Sequence, residues 1–574
     1  MAAGKSKGKK QQQKKRTQEQ TELLIYFIGI CPFLMGLCKQ WLIFGTALFV
    51  LATILVICVL EKRVVFYKNP SVLTGAVMLV AGIISIFAGV SHGSAIYGVV
   101  RLLAMALWVI LLMQMEEETG RDALSVLPSA AVLMVGISAL LYVIPDTRGF
   151  ISSNHRLAGF FQYSNTMALF LLIALMVFTM DGAFERQKKG KKYGYPVVLL
   201  GGLLWTGSRT TFLLMLVVMV LFICKYQAVR RQYSIMLGVG IVGAAGYAVI
   251  SGNMASVGRF LTVFGKSSTL LGRFLYWIDG FKLLIKHPFG LGYMGYSYIN
   301  PSIQTGMYTV KYIHNEWLQM ALDYGVIFLL AFLYLFIHQL RKTKGMARWI
   351  LIVIGIHMVM DFDLQYVVII QILLACMNWH EGEKKECFFG EKAWEKAVVA
   401  AVSVLCGGLF LWLGIADACS AAKAYDASAA IFPWRVEVKE QQMLASRSEN
   451  EFEDYAKQTL KLNPYDAAAY DILALVANEK KDYPKMIEYK KQAVLLQKYR
   501  TEEYDDYVSM LKTAIDSCEN RDLEEYKNYV DELLAVDTIL AEVKENTHPL
   551  AYRIYDKPNF NLSKESQKYI AQFK

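Results

Sequence analysis

The sequence predicts an all-α polytopic membrane protein, a bundle of about 12–13 transmembrane helices followed by an α-helical tail. Of its 574 residues, 55% are hydrophobic, and the mean hydropathy is +0.34. Apolar runs recur between residues 22 and 416. They have the length, about 17–25 residues, that a hydrocarbon core of about 30 Å requires of a helix. Near Ala418 the composition shifts to Lys, Glu, Asp and Tyr, which marks the start of the tail.

The chain begins with a Lys- and Gln-rich segment, residues 1–20, that is typical of a disordered, solvated tail on the cytoplasmic side. The following apolar span lacks a small-residue cleavage site, so we expect it to remain uncleaved. Residues 21–417 are predicted to form the transmembrane domain. Its thirteen candidate spans are 22–37, 41–60, 71–90, 95–115, 127–144, 160–180, 196–207, 211–224, 234–250, 318–337, 349–360, 364–379 and 397–416.

Charge supports this set of spans. When the spans are counted from a cytoplasmic N-terminus, Lys and Arg accumulate in the inside loops, as the positive-inside rule requires, and Glu116–Ser125 is the exception. The net charge of +11 therefore reflects membrane orientation and does not indicate a nucleic-acid partner. We expect a multi-pass protein of the cytoplasmic membrane with a cytoplasmic N-terminus and an extracytoplasmic C-terminal domain.

Two long segments fall on the predicted outer side, the loop 251–316 and the tail 418–574. In the tail, Tyr455, Gln458, Leu462 and Tyr465 recur 34 positions later as Tyr489, Gln492, Leu496 and Tyr499. A 34-residue period in helical sequence is the signature of the tetratricopeptide repeat. The alternative is an ordinary helical domain with chance identities. Either structure predicts a binding surface, with an envelope protein as a possible partner, and not a catalytic domain.

Polar residues in or beside the apolar spans collect at the predicted outer end, and intramembrane ionisable residues are functional candidates. They are Arg101, Arg156, Arg209, Arg273, His314, Asn315, Asp361 and Asp363. Arginines on the outer side depart from the positive-inside rule. A guanidinium offers a planar set of donors that matches phosphate oxygens, so the arginines indicate a lipid-linked phosphate or diphosphate. Alternatively, each arginine is an interfacial residue or forms an internal ion pair with Asp361 or Asp363.

His314 has three interpretations: an interfacial histidine, a metal ligand, or a general base. A metal site requires further ligands at matching spacing, and His155 and His287 are isolated in the sequence. The nine cysteines show no paired spacing, so neither a disulfide framework nor a zinc site is implied. The base interpretation is the sharpest, because Asp361 or Asp363 could orient the imidazole ring. The sequence contains neither a nucleophile elbow nor a phosphate-binding glycine loop with its lysine.

Taken in order, these motifs resemble the O-antigen ligase family. The resemblance covers about residues 20–380 and includes Arg156 with Gly159 and Asn165, Ser208-Arg209, Arg273 before Tyr276-Trp277, Gly290-x-Gly292, and His314-Asn315. The family also includes polymerase-like members and members with tetratricopeptide tails. The resemblance implies an integral-membrane glycosyltransferase fold.

The resemblance further implies an undecaprenyl-diphosphate-linked glycan as donor, transfer at the outer face of the cytoplasmic membrane, and inversion at the anomeric carbon. No metal or other cofactor is implied. Arg156, Arg209 and Arg273 would hold the diphosphate, and His314 would deprotonate the acceptor hydroxyl with support from Asp361. Supporting residues would be Arg101, Asn165, Asn315 and Asp363. The acceptor could be a glycan, a lipid or a protein.

Other functions remain open at this point. A glycan polymerase would use the same donor and differ in its acceptor. A transporter for a lipid-linked oligosaccharide would favour charges through the bilayer midplane and paired halves, neither of which the sequence shows. A non-catalytic scaffold with a recruiting tail would not need His314.

Overall fold

The computed structural model describes residues 17–180, 185–250, 268–388, 393–519 and 523–574. Helices dominate, and the short strands form two small antiparallel pairs. The helices of the membrane domain are α1 (17–30), α2 (Gln40–Glu61), α3 (Pro70–Ala88), α4 (His92–Met113), α5 (Thr119–Ala123), α6 (Leu127–Val143), α7 (Pro145–Ile151), α8 (Ser164–Thr179), α9 (Lys189–Thr206), α10 (Arg209–Lys225), α11 (Gln227–Ile250), α12 (Ser268–Lys286), α13 (Gly295–Ile303), α14 (Glu316–Tyr324), α15 (Val326–Lys342), α16 (Gly345–His357), α17 (Val367–Cys376) and α18 (Ala393–Ala421).

The strands are β1 (Arg63–Lys68), β2 (Ser152–Ser153), β3 (Arg156–Leu157) and β4 (Glu383–Phe388). The helices of the tail are α19 (Tyr425–Ile431), α20 (Val436–Ala445), α21 (Glu449–Leu462), α22 (Ala467–Glu479), α23 (Tyr483–Leu496), α24 (Thr501–Asp516), α25 (Glu524–Glu545) and α26 (Lys564–Ile570). Helices α21 and α23 begin 34 residues apart, as do α22 and α24. This spacing agrees with the predicted repeat, whose assignment as a tetratricopeptide stays a prediction.

The predicted all-α membrane bundle is confirmed. Within the described residues, five helices are long and apolar enough to cross a membrane, namely Gln40–Glu61, Pro70–Ala88, His92–Met113, Thr119–Val143 and Trp394–Ala421. Three shorter apolar helices, α8, α16 and α17, lie among them. Every residue of α8 except Asn165 is buried, so this helix forms the centre of the bundle. Each predicted span coincides with helical residues, while the number of membrane crossings stays a prediction.

Three boundaries differ from the predictions. Residues 17–20, assigned to the disordered tail, already belong to α1, whereas residues 1–16 lie outside the described residues. In the first predicted span, the α-helix ends at residue 30, and the chain continues as two short 3-10 turns. The span predicted at 318–337 is broken between α14 and α15 at Gly325, whose φ of +90° an α-helix cannot contain.

Loops predicted to be cytoplasmic meet at one end of the bundle. Strand β1 pairs antiparallel with β4, with Lys68 opposite Glu383. The Asn378 amide donates to the Glu117 carboxylate at 2.9 Å, and the Lys342 ammonium donates to Glu381 at 2.5 Å. Because these contacts join four loops distant in sequence, the alternation of spans in the predicted topology is consistent with the structure. Which end faces the cytoplasm stays a prediction.

The tail packs against the opposite end. The 3-10 turn Pro549–Arg553 contributes Ala551 to an apolar cluster with Leu275 of α12 and Tyr308. The backbone N–H of His548 donates to the carbonyl of Thr305 at 2.8 Å. Residues of the tail therefore contact the loop that leads to His314. The part of the predicted outer loop at 251–267 lies outside the described residues.

Candidate active site

A tight hairpin presents Arg156. Strands β2 and β3 pair antiparallel with Ser153 opposite Arg156. The two connecting residues, Asn154 and His155, have φ of +51° and +61°. Positive φ at both positions is the pattern of a type I′ turn, in which Asn is favoured at the first position. His155 is exposed at this turn, so its visible role is to shape the hairpin.

The Arg156 side chain ties this hairpin to two helices. Its Nε–H donates to the carbonyl of Thr206 at 2.7 Å, and Nη2 donates to the Asn165 side-chain oxygen at 2.9 Å. Thr206 ends α9, and Gly207 follows with φ of +58° before Arg209 opens α10. Because glycine adopts this conformation without a Cβ penalty, the chain reverses sharply here and brings Arg209 beside Arg156.

Helix α12 places Arg273 next to the segment that carries His314. Arg273, Trp277 and Gly280 share one face of this helix at positions i, i+4 and i+7. The Trp277 indole N–H donates to the carbonyl of Ile313 at 3.1 Å. A Cβ at Gly280 would lie 2.0 Å from a side-chain carbon of Ile313, so this close contact requires glycine. Arg273 and His314 are thereby held together by one helix face.

The Asp361 carboxylate is the centre on which these elements converge. It is fully buried. Tyr163 Oη donates to Oδ1 at 2.6 Å, the Asn165 amide donates to Oδ2 at 2.6 Å, and Arg273 Nη2 lies 3.4 Å from Oδ2. Burial opposes ionisation of this carboxyl, but Arg273 and His314 outweigh burial and hold its pKa below the usual value. Asp361 is therefore a buried carboxylate that orders an arginine, an asparagine and a tyrosine.

The ring of His314 is oriented by backbone and not by an aspartate. Its Nδ1 lies 2.9 Å from the carbonyl of Tyr312, and a carbonyl can only accept, so Nδ1 carries the proton. In the neutral ring Nε2 then holds the free lone pair. Phe362 packs edge-on against the ring with 5.0 Å between centroids. Burial lowers the pKa of the His314 imidazole. The nearby Asp361 carboxylate partly offsets this effect, and the Arg273 charge lowers the pKa further.

The three predicted diphosphate-binding arginines lie close together. Burial lowers the pKa of the Arg156 guanidinium. Tyr163 and Asp361 raise this pKa, and the neighbouring Arg209 and Arg273 lower it again. Hydrogen bonds link Arg156 through Asn165 to Asp361, which also contacts Arg273. Arg209 lies three residues after Thr206, whose carbonyl accepts from Arg156. Arg273 is 8% exposed, and its Nε–H has no hydrogen-bond partner within the described residues. Such a cluster can bind a multiply charged anion.

A second buried chain of polar groups lies beside this cluster, and sequence reasoning missed it. Asp363 does not contact His314; its Oδ2 lies 2.5 Å from His357 Nδ1. His357 Nε2 lies 2.9 Å from Thr211 Oγ1, which lies 3.0 Å from Ser208 Oγ. This chain connects the turn bearing Asp361 to the residue before Arg209. The available signal was the spacing of His357 and the two aspartates, which puts all three at one helix end.

Two supporting residues have other visible roles. Asn315 caps α14, because its side-chain oxygen accepts from the backbone N–H of Leu318 at 3.0 Å. Arg101 lies away from the arginine cluster, with its guanidinium 5.1 Å from the centroid of the Tyr293 ring. Glu316 was not predicted, yet its carboxylate accepts from the backbone N–H of Leu364 at 3.2 Å and fixes the end of the Asp361 turn.

The fold and this site define an α-helical integral membrane protein with a partly buried arginine cluster, a buried aspartate and a histidine at one end of the bundle. Within the described ranges, no three His, Cys, Asp or Glu side chains gather as a set of metal ligands.

Residues 195–333 match the family model described as O-antigen ligase. The match contains Arg209, Arg273 and His314 and supports the O-antigen ligase-like family predicted from the motifs. It supports a role in glycan transfer at a membrane, as a ligase or a polymerase. No curated protein and no solved structure matched the chain.

Proposed function

We propose that this protein transfers a glycan from an undecaprenyl-diphosphate-linked donor to an acceptor hydroxyl at the outer face of the cytoplasmic membrane. The observation that carries the proposal is that Arg273 and His314 lie beside the buried Asp361. Arg156 is linked to the same carboxylate through Asn165, and Arg209 opens the helix next to Arg156. An anionic leaving group and a hydroxyl nucleophile need a cation cluster and a base close together, and this site supplies both.

The arginines bind the diphosphate. Arg273 keeps an unpaired Nε–H while Asp361 holds its Nη2, so the guanidinium is oriented before the donor arrives. Arg156 is oriented in the same way by Thr206 and Asn165. Donors fixed in advance stabilise charge that develops on the leaving group without reorganising during the reaction. The cluster therefore favours departure of the polyprenyl diphosphate.

His314 acts as the base. The Tyr312 carbonyl fixes the proton on Nδ1, so Nε2 accepts the proton of the acceptor hydroxyl. The hydroxyl oxygen then forms a bond to the anomeric carbon, while the bond from that carbon to the diphosphate oxygen breaks. The proton ends on His314 and the electron pair on the diphosphate. Attack opposite the leaving group inverts the anomeric configuration, and the step needs no metal.

The tail, residues 418–574, would lie on the same outer side as the site. Its contacts with the Thr305 segment and with α12 support this placement. A tail anchored at the site end can present an envelope partner, or an acceptor that such a partner carries, to the transfer reaction. In this proposal the boundary of the transmembrane domain falls near residue 417, within the last turns of α18.

The test is glycan transfer by purified protein in detergent or nanodiscs, with a polyprenyl-diphosphate glycan and a panel of glycan, lipid and protein acceptors. We expect transfer in the presence of chelator. Arg209→Ala should lower transfer at least tenfold, since a hydrogen bond to a charged group contributes about 1.5–3 kcal/mol.

Arg148→Ala is the matched control, because Arg148 is exposed and interacts with Tyr142 away from the cluster. Transfer to a further donor-derived glycan identifies a polymerase, and transfer to an unrelated hydroxyl identifies a ligase. Equal transfer by wild type and Arg209→Ala would contradict the assignment of the cluster.

A further inference from the structure

A cavity of about 340 Å³ lies between α3, α4, α15 and α17, away from the elements that carry the three site arginines. This volume is in the range of ligand-binding cavities, about 300–1,000 Å³. Its walls are almost entirely apolar, from Met113 and Trp379 at the end where β1 and β4 pair to Tyr293 at the other end. Charged side chains line it towards the Tyr293 end, where Arg101, Glu316 and Asp323 meet.

Arg101 is incompletely bonded in this cavity. It is 6% exposed, and its Nη2 lies 3.4 Å from the carbonyl of Gln365. Its Nη1 has no hydrogen-bond partner, and no carboxylate of the described residues lies within ion-pair distance of its guanidinium. Glu316 and Asp323 line the same end of the cavity, but neither forms a direct ion pair with Arg101. A buried cation without a direct anionic partner is costly, so a ligand that brings an anionic oxygen to this point would be stabilised.

Two further cations stand near the same end. Gln40, the residue after Lys39, donates from Nε2 to Tyr293 Oη at 3.2 Å, and the Arg101 guanidinium lies over the same tyrosine ring. Lys311 Nζ lies 5.5 Å from the centroid of the Tyr312 ring, and the Tyr312 side chain hydrogen-bonds that of Tyr293. Lys39 and Lys311 are exposed, whereas Arg101 is buried. The positive charge therefore runs from the surface of the protein down to the cavity, which favours entry of an anionic group from that side.

The dimensions of the cavity fit one lipid chain. From Arg101 to Met113 the α4 axis spans about 18 Å, at about 1.5 Å per residue. One leaflet contributes half of a hydrocarbon core of about 30 Å, or about 15 Å. A molecule with a phosphate at Arg101 and a chain directed towards Met113 would thus occupy a single leaflet.

We propose that this cavity binds one acyl chain of an anionic phospholipid, with the phosphate at Arg101 and beneath Lys39 and Lys311. This site goes beyond the transfer reaction and is separate from the proposed diphosphate site. The bound lipid supports the catalytic turn. Arg101 holds the Gln365 carbonyl, and the Gln365 amide donates to the Glu316 carboxylate at 3.0 Å. The backbone N–H of Glu316 in turn donates to the carbonyl of Asp361 at 3.1 Å.

The test is lipid retention measured by native mass spectrometry of delipidated, purified protein titrated with phosphatidylglycerol or phosphatidylcholine. We expect one tightly bound phosphatidylglycerol per chain and at least tenfold weaker binding of zwitterionic phosphatidylcholine. Arg101→Gln should weaken phosphatidylglycerol binding at least tenfold, and Arg148→Gln, at an exposed arginine, should not.

A second variant keeps Arg101 and fills the cavity. An added Cβ at Gly75, a lining residue, meets no atom within 4 Å, so Gly75→Leu is accommodated and should also lower retention at least tenfold. Gly136→Leu, equally open but on α6, is its control. If Arg101→Gln fails to fold, Gly75→Leu decides the outcome.

Equal retention of the two lipids, or wild-type retention by either cavity variant, would overturn the proposal. Displacement of phosphatidylglycerol by one equivalent of polyprenyl diphosphate would overturn it too, because it would assign the cavity to the donor chain. The assay reads no transfer activity, so its failure is distinct from failure of the proposed function.

Discussion

At the scale of single residues, His314 combines two properties of a base. The Tyr312 carbonyl fixes its tautomer, and its half-buried position lowers its pKa below the ordinary value of about 6.5. Both properties keep Nε2 unprotonated at neutral pH. The same lowered pKa makes the free enzyme sensitive to pH in a predictable direction.

We predict that kcat/KM rises with pH through the pKa of His314 and that the midpoint of this acid limb lies below pH 6.5. A pH profile of single-turnover transfer measures it. His155→Ala, at the exposed hairpin turn, should leave the profile unchanged. An acid limb centred well above pH 6.5 would contradict an unprotonated His314 as the base.

The two aspartates have different partners and should behave differently on substitution. Asp361→Asn removes the charge that holds Arg273, so we predict at least tenfold weaker donor binding. Asp363 and His357 are both fully buried and in contact. Asp363→Asn removes the carboxylate that faces this histidine, so we predict mainly a loss of folding stability. Donor affinity and thermal unfolding, measured for both variants, test this division. Identical effects of the two substitutions on both readouts would rule it out.

Sequence reasoning found the residues whose chemistry stands out against an apolar background. The arginines at 156, 209 and 273, His314 and Asp361 could be recognised because topology placed all of them at one end of the spans. His357 could not be recognised in this way, since it ends an apolar run in which a lone histidine is usually a core residue. Asp363 follows it in the next turn, but its other partner, Thr211, comes from α10, and that proximity exists only in the folded chain.

At the scale of elements, the turn between α9 and α10 sets the position of two arginines. Gly207 has φ of +58°, and a Cβ there would lie 3.4 Å from Arg156 Nε. We predict that Gly207→Ala destabilises the protein by about 1–2 kcal/mol, the usual cost of a left-handed non-glycine residue. It should also lower transfer severalfold through displacement of Arg156.

Gly201→Ala is the matched control for this turn. Gly201 lies within α9, and an added Cβ there meets no atom within 4 Å. This substitution should leave transfer unchanged and stabilise the helix slightly, because alanine has the higher helix propensity. Wild-type stability and transfer in Gly207→Ala would show that the turn does not position the arginine.

Hydropathy located the helices but could not locate their breaks. The run 318–337 is apolar except for Gln319 and Asp323, yet the helix breaks at Gly325, where the Val326 N–H bonds to the carbonyl of Pro288 at 2.9 Å. That bond joins residues far apart in sequence, and an apolarity profile contains no information about it. In the predicted outer loop, the sequence likewise indicated an amphipathic stretch, which forms α12. The packing of this helix on Ile313 requires the glycine at position 280, and the amphipathic pattern did not indicate that contact.

At the scale of the whole molecule, the tail packs on the end of the bundle that carries the candidate site. Ala551 is fully buried against Leu275 of α12, and a Cβ at Gly306 would lie 2.7 Å from Ala551 Cβ. Helix α12 also carries Arg273, so a disturbance at Ala551 should reach the site. The composition of residues 418–574 predicted a separate helical domain, but the contact surface between it and the loop has no signature in composition.

We predict that Ala551→Glu, which buries a carboxylate against apolar side chains, lowers transfer at least tenfold and increases amide hydrogen exchange in α12. The neighbouring Tyr552→Ala serves as the control, because Tyr552 is 42% exposed. If Ala551→Glu loosened α12 without any loss of transfer, the tail would not support the position of Arg273.

In the proposed reaction, His314 accepts the proton of the hydroxyl while the arginine cluster holds the donor. Single-turnover release of polyprenyl diphosphate, with donor binding measured in parallel, tests it most directly in wild type and His314→Gln. We predict that His314→Gln binds the donor within about threefold of wild type and releases the diphosphate about 10²–10⁴-fold more slowly, the usual range for loss of a general base. Release at the wild-type rate by His314→Gln would contradict it.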